Sequence, residues 1–139
     1  MIILGSGGEK NLAEELCQKL EIKASNLAGA CTINVSAAIL KNAVCFIGND
    51  GGLVHMAHAL QVPVAAFYGP VDPQVYGPFP EHPRAVSLFK KNLECRPCYR
   101  RFRYNSACAH RDCLQAFSVE EVLQMLDQAQ WFQNLEATV

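Results

Sequence analysis

Short apolar runs alternate with helical patterns along the first half of the chain. Residues 2–4 are apolar and are stopped by Gly5-Ser6-Gly7-Gly8. Leu12, Leu16 and Leu20 then recur every four residues, with Ala13 and Cys17 beside them, the spacing of an amphipathic helix. Thr32 is placed to cap a second helix running to Lys41-Asn42, with Ile33, Ala37 and Leu40 as its apolar stripe. Residues 43–47 read as a buried strand ended by Gly48. Leu53, Met56, Ala57 and Leu60 fit the i, i+3, i+4, i+7 pattern of a third helix. Residues 62–68 read as another strand, in which Pro63 is tolerable only near the start. Strands separated by helical crossovers of this length imply βαβ units and a parallel sheet, an α/β, Rossmann-like fold with flanking helices.

After Gly69 the pattern changes. Gly69-Pro70, Asp72-Pro73, Gly77-Pro78, Pro80 and Pro83 punctuate a long loop, which in a compact domain is usually functional. Residues 85–89 fit one more strand. Ser118-Val119-Glu120-Glu121 should open a last helix with a capping box, and Val119, Val122, Leu123 and Leu126 supply its stripe. No internal repeat or low-complexity segment occurs. A chain that opens inside an apolar strand is expected to be the second half of something larger.

Composition supports a folded domain. Half of the 139 residues are hydrophobic and 18% are charged, a length and balance suited to one domain over residues 1–139. The formal charge of −1 makes no strong statement, but its distribution does. Arg84, Lys90, Lys91, Arg96, Arg100, Arg101, Arg103 and Arg111 are eight of the twelve cations, and Glu94 is the only acid among them. No apolar run approaches the roughly 18–20 residues needed to cross a bilayer, and no signal peptide is evident, so a cytoplasmic protein is expected. Seven cysteines make an odd count that argues against a full disulfide framework. Cys17, Cys31 and Cys45 stand singly among apolar neighbours, as small core residues do.

The turn Asn49-Asp50-Gly51-Gly52-Leu53-Val54-His55 carries the candidate chemistry. In an open parallel sheet, ligands bind beyond the carboxyl ends of the strands, where loops lead into helices. Consecutive glycines leave the first helical amides open to close approach, and the helix dipole favours a phosphate there. His55 should project away from the buried stripe while staying in the first turn. Asp50 would accept hydrogen bonds from sugar hydroxyls, or merely cap the helix. His55 and His58 have a metal-pair spacing but no third ligand nearby in sequence. The early Gly5-Ser6-Gly7-Gly8-Glu9-Lys10 lacks the third glycine of a dinucleotide loop, and no P-loop occurs.

Cys95-Arg96-Pro97-Cys98 with Cys108 and Cys113 gives C-x2-C-x9-C-x4-C. Four thiolates at this spacing could hold a structural zinc; reduced thiols or a disulfide are the alternatives. Arg96, Arg100, Arg101, Arg103 and Arg111, interleaved with Tyr99, Phe102 and Tyr104, suit anions. A competing reading is a cysteine-clustered, arginine-rich module for RNA or single-stranded DNA, which leaves the glycine turn unexplained.

The stretch from Phe46 through Gly48-Asn49-Asp50-Gly51-Gly52-Leu53-Val54-His55 to Leu60 strongly resembles glycosyltransferase family 9, the ADP-heptose:lipopolysaccharide heptosyltransferases and their relatives. Val62-Pro63-Val64, Phe67-Tyr68-Gly69-Pro70-Val71-Asp72-Pro73 and Asn26-Leu27-Ala28-Gly29 extend the likeness over nearly the whole chain. The resemblance implies the C-terminal half of a GT-B fold, which binds the nucleotide sugar. It implies donor contacts at Asp50, Gly51, Gly52, Leu53 and His55, with Asp50 as the sugar carboxylate. Glu9 would hold the ribose, and Cys31 would pack near the adenine. Gly51 stands where the family usually has Ser or Thr, so a hydroxyl contact to the diphosphate is missing. The catalytic base is expected outside this chain, in an N-terminal half. The implied partners are an ADP-sugar donor and a lipid-linked oligosaccharide acceptor. With them go peripheral contact with an anionic inner-membrane face and no required cofactor. Similar Cys-Pro-Cys segments occur in many family members.

Overall fold

The computed structural model describes residues 1–80, 84–99, 101 and 103–136. Pro83, Arg100 and Phe102, singled out above, lie outside the described residues. The chain forms two compact units, Met1–Ile39 and Leu40–Val139.

In the first unit, β1 (Ile2–Ile3) pairs in parallel with β2 (Ser25–Asn26), a strand too short for periodicity to reveal. A 3-10 turn (Gly7–Glu9) and α1 (Lys10–Lys19) make the crossover. The expected stripe of α1 is displaced. Leu12 and Leu16 are exposed, whereas Ala13 is buried and Cys17 and Leu20 are half-buried. Asn26 is one cause: its amide donates to the Lys10 carbonyl and the Glu14 carboxylate, turning that side of the helix toward β2. Its side-chain oxygen also accepts from the Ala28 N–H, which shapes the turn into Gly29. Gly29 adopts a φ of 72°, and a Cβ there would stand 2.6 Å from the Gly7 Cα. The two glycine turns touch backbone to backbone, so no side chain fits between them.

Helix α2 (Ile33–Lys41) runs from the first unit into the second. Thr32 caps it as expected, its hydroxyl accepting from the Val35 N–H at 3.4 Å. Leu40 is buried, but Ile33 is exposed, so the stripe holds only at its far end.

The second unit is built on three parallel strands in the order β3 (Phe46–Asn49), β4 (Val64–Phe67), β5 (Ala85–Leu88). Central β4 is apolar without alternation because both its faces are covered, as parallel sheets require. Gly48 does not end β3; it lies within it. The Phe46 ring folds over Gly48, where a Cβ would come within 2.7 Å of a ring carbon, so the glycine serves packing rather than termination. Pro63 sits just before β4 and still serves the sheet, its carbonyl accepting from the Phe46 N–H.

Helix α3 (Gly52–Ala59) bridges β3 and β4, with Val54 and Ala57 fully buried. Its stripe is centred one residue from Leu53, on Val54. The punctuated loop contains a short helix, α4 (Pro73–Tyr76), whose Asp72 cap accepts from the Gln74 N–H while Pro73 takes the first helical position. The cysteine-rich segment holds another, α5 (Asp112–Gln115). Neither short helix is visible from apolar spacing.

Ser118 caps α6 (Val119–Gln128) by accepting from the Glu121 N–H. The reciprocal half of the expected box gives way to an ion pair: the Glu121 carboxylate meets Lys90. The inward residues of α6 are Val122, Met125 and Leu126, while Val119 and Leu123 are exposed. Helix α7 (Trp131–Glu136) adds Trp131 to a core with Ala65, Leu88 and Leu126. Cys45 packs against this core only partly, and Cys17 and Cys31 are likewise half-buried rather than core.

Candidate functional site

The glycine turn occupies the carboxyl ends of β3 and β4. The Asp50 N–H donates to the Phe67 carbonyl at 2.9 Å, which continues the β3–β4 ladder one residue beyond Asn49. Gly51, not Asp50, is the N-cap of α3, and no side chain caps the helix. Asp50 thus stands one residue ahead of the N-cap position. A Cβ on Gly52 would meet nothing within 4 Å, so the space before the first helical amides is open. Such a helix end presents free N–H donors and the positive end of a dipole.

His55 is exposed in the first turn of α3, as its position opposite Val54 and Ala57 requires. Leu53 is half-buried beside them. Crowding by neighbouring atoms raises the Asp50 carboxyl above the ordinary range for an aspartate, and the nearby His55 opposes that shift. The two side chains thus act on one patch. Behind them Tyr68 is fully buried. Its phenol is pushed up to about 12, by burial first and by the Asp50 charge second, with Ser87 opposing. His58, the other half of the suspected metal pair, bonds through Nε2 to the Pro80 carbonyl at 2.9 Å.

Glu9 and Cys31 belong to the first unit. Glu9 Oε2 accepts from the Ser6 N–H at 2.7 Å and from the Ser6 hydroxyl at 2.6 Å, a closed capping box that spacing did not announce. These bonds hold its pKa below the ordinary range. Cys31 is half-buried, just ahead of the Thr32 cap.

Arg96 departs most from expectation. Its guanidinium faces inward and donates to the carbonyls of Gly69, Lys90 and Val71, the last two at 2.9 and 2.7 Å. It also lies over the Phe89 ring, 4.9 Å from the centroid. The first arginine of the supposed anion grip is therefore spent on backbone. Arg101, Arg103 and Arg111 are exposed. Fixed-donor arginines of this kind carry no sequence periodicity, and only the run of Gly69, Pro70 and Val71 nearby hinted at a loop in need of a tie.

Arg96 also feels the charges of neighbouring side chains. Burial lowers the Arg96 pKa, while Cys113, Cys95 and Cys98 act electrostatically in the opposite direction. Cys95 is exposed, and the Cys108 sulfur faces His110 Nε2 at 3.9 Å. Among the described residues no group of three or more His, Cys, Asp or Glu side chains is placed to hold a metal ion. No helix among the described residues is long and apolar enough to cross a membrane.

Comparison with known proteins agrees with this architecture. The lipooligosaccharide heptosyltransferase 2 of Haemophilus influenzae is 32% identical over 95 residues, covering 66% of this chain and 28% of that protein. The corresponding protein of Campylobacter jejuni is 28% identical over 129 residues, covering 89% of this chain and 39% of its own length. The chain therefore spans roughly a third of the relatives it matches. Among solved structures, the ADP-heptose LPS heptosyltransferase II of E. coli superposes with a TM-score of 0.70 at 22% identity, over 96% of this chain and 37% of that one. A family 9 glycosyl transferase from Veillonella parvula gives a TM-score of 0.68 at 22% identity, over 92% and 35%. The sequence model of glycosyltransferase family 9 (heptosyltransferase) matches residues 2–108, from β1 past the open turn and into the cysteine-rich segment. With most of its length inside that match, the chain belongs to glycosyltransferase family 9.

Proposed function

We propose that this chain binds the nucleotide-sugar donor, an ADP-heptose-like molecule, for an inverting glycosyltransferase of lipopolysaccharide core assembly. The observation that carries this reading is the uncapped start of α3. It opens at Gly51, an N-cap without a side chain, and at Gly52, where a Cβ would meet nothing within 4 Å. In this reading the amides of α3 receive the diphosphate and stabilise it as it departs. Asp50 accepts from the sugar hydroxyls, and His55 lies beside it on the exposed side of the helix. Glu9 and Cys31 serve the ribose and adenine.

An inverting transfer also needs a base to take the proton from the acceptor hydroxyl. In this reading that base lies in an N-terminal half of a GT-B enzyme, so the chain by itself binds and does not transfer. The acceptor is a lipid-linked oligosaccharide at the cytoplasmic face of the inner membrane. Exposed Arg101, Arg103 and Arg111 meet its phosphates or anionic lipid. No cofactor is required. The nucleic-acid alternative has no comparable support, since it leaves the open turn idle.

Calorimetry with ADP-heptose tests the reading. Wild type is expected to bind, and Asp50→Ala to weaken the sugar nucleotide by about tenfold, the equivalent of one lost charge-assisted hydrogen bond. Absence of binding by wild type, or equal binding by the variant, would sink the assignment.

A further inference from the structure

Three tyrosines from separate segments of the second unit meet against the loop that follows β4. Tyr76 closes α4, Tyr99 follows the Arg96 tie, and Tyr104 lies beyond it. The rings of Tyr76 and Tyr99 stand edge-on with centroids 5.5 Å apart, and those of Tyr99 and Tyr104 are tilted at 4.7 Å. The backbone N–H groups of Cys98 and Tyr99 both donate to the Pro70 carbonyl, at 3.0 and 3.1 Å. Tyr99 is thereby tied to Pro70, three residues past Phe67, whose carbonyl accepts from the Asp50 N–H. Desolvation first, then Tyr104, Tyr76 and Asp50, all disfavour the Tyr99 phenolate.

This is not a core cluster. Tyr104 is 65% exposed and Tyr76 36%, so aromatic surface stays open to solvent. An aromatic face beside a carboxylate has a definite chemical preference. The C–H face of a pyranose packs on the ring, its hydroxyls donate to the carboxylate, and the phenols donate and accept at its edge.

We propose that Tyr76, Tyr99 and Tyr104 form a sugar-binding platform beside Asp50 that seats a pyranose ring of the donor or of the acceptor. The proposal rests on the reading of Asp50 as a sugar-binding carboxylate, and its test separates the two. Saturation-transfer NMR and calorimetry are run on the full chain with ADP, ADP-heptose and a deacylated core oligosaccharide. Saturation should reach the sugar-ring protons. Tyr104→Ala, at an exposed position where folding is not at stake, should weaken a sugar-bearing ligand about 3- to 10-fold and leave ADP unchanged. Tyr99→Phe, which keeps the ring, should retain most of the affinity. An effect on ADP-heptose assigns the seat to the donor sugar; an effect on the oligosaccharide assigns it to the acceptor.

Tyr104→Ala binding both sugar-bearing ligands as well as wild type does overturns the platform, even with the donor site intact. A wild type that binds neither sugar-bearing ligand overturns it too. A wild type that ignores ADP and ADP-heptose, yet binds oligosaccharide through Tyr104, refutes the donor reading and upholds the platform. Salt-dependent capture of an oligothymidylate through Tyr104, with no response to sugars, overturns it in favour of nucleic acid.

Discussion

Asp50 is held where a carboxylate is poorly placed for stability. Its pKa is raised, so ionisation costs more in the folded protein than in the unfolded chain. The cost is absent at pH values below the unfolded pKa, where both states are protonated. It accumulates as pH rises through the interval between the unfolded and folded values, and it persists above. Asp50→Asn should therefore unfold at an equal or higher temperature than wild type at pH 7, with the difference vanishing near pH 3. The same variant should lose donor affinity. Thermal melts at the two pH values check the first outcome, and calorimetry the second. Glu9 is the contrast, since its carboxylate is satisfied by Ser6 and its pKa is lowered.

At the scale of elements, the tie made by Arg96 matters most. Three carbonyls from two segments converge on one guanidinium, whose planar fork can serve them together while an ammonium cannot. Arg96→Ala should destabilise the second unit by about 2–4 kcal/mol, through carbonyls left without a donor and a lost contact with Phe89. Arg96→Lys should recover only part of this. Urea unfolding followed by Trp131 fluorescence measures both. Because Tyr99 hangs from the same loop, the alanine variant should also disorder the tyrosine cluster.

The elements also show what was readable in the residues. Long patterns were legible: the helix through Leu53 and Leu60, the strand through Val64 and Phe67, and the Thr32 and Ser118 caps all appear. So was the open turn, because paired glycines before an apolar helix have a physical use. β2, α4 and α5 were not, since each is too short to complete a period and lacks an apolar run of its own. Faces were misplaced by a residue where polar contacts set the rotation of a helix, as Asn26 does for α1. Arg96 and the tyrosine cluster depend on tertiary contacts between distant segments, which no local pattern encodes.

For the molecule as a whole, the second unit's core depends on its last helix. Trp131 is 2% exposed and packs with Leu126, Leu88 and Ala65, so the end of the described chain closes over central β4. Trp131→Ala should cost about 3–5 kcal/mol, read as a fall in the urea midpoint followed by far-UV circular dichroism. Its site is remote in sequence from Asp50. Any loss of donor affinity should therefore disappear once measurements are made where the variant is folded.

The strand order β3-β4-β5 repeats the order of synthesis. Each new strand joins the free edge of the one before it, and none has to wedge between strands already paired. A chain leaving the ribosome can therefore complete its turn at Gly51 and Gly52 as soon as β4 has docked. The segment bearing Arg96 and Tyr99 can only be fastened later, against a turn that is already in place. Folding should proceed in that direction, with the turn at Gly51 and Gly52 first and the tyrosine cluster last. Pulse-labelled amide exchange should find Asp50, bonded to Phe67, protected before Cys98 and Tyr99.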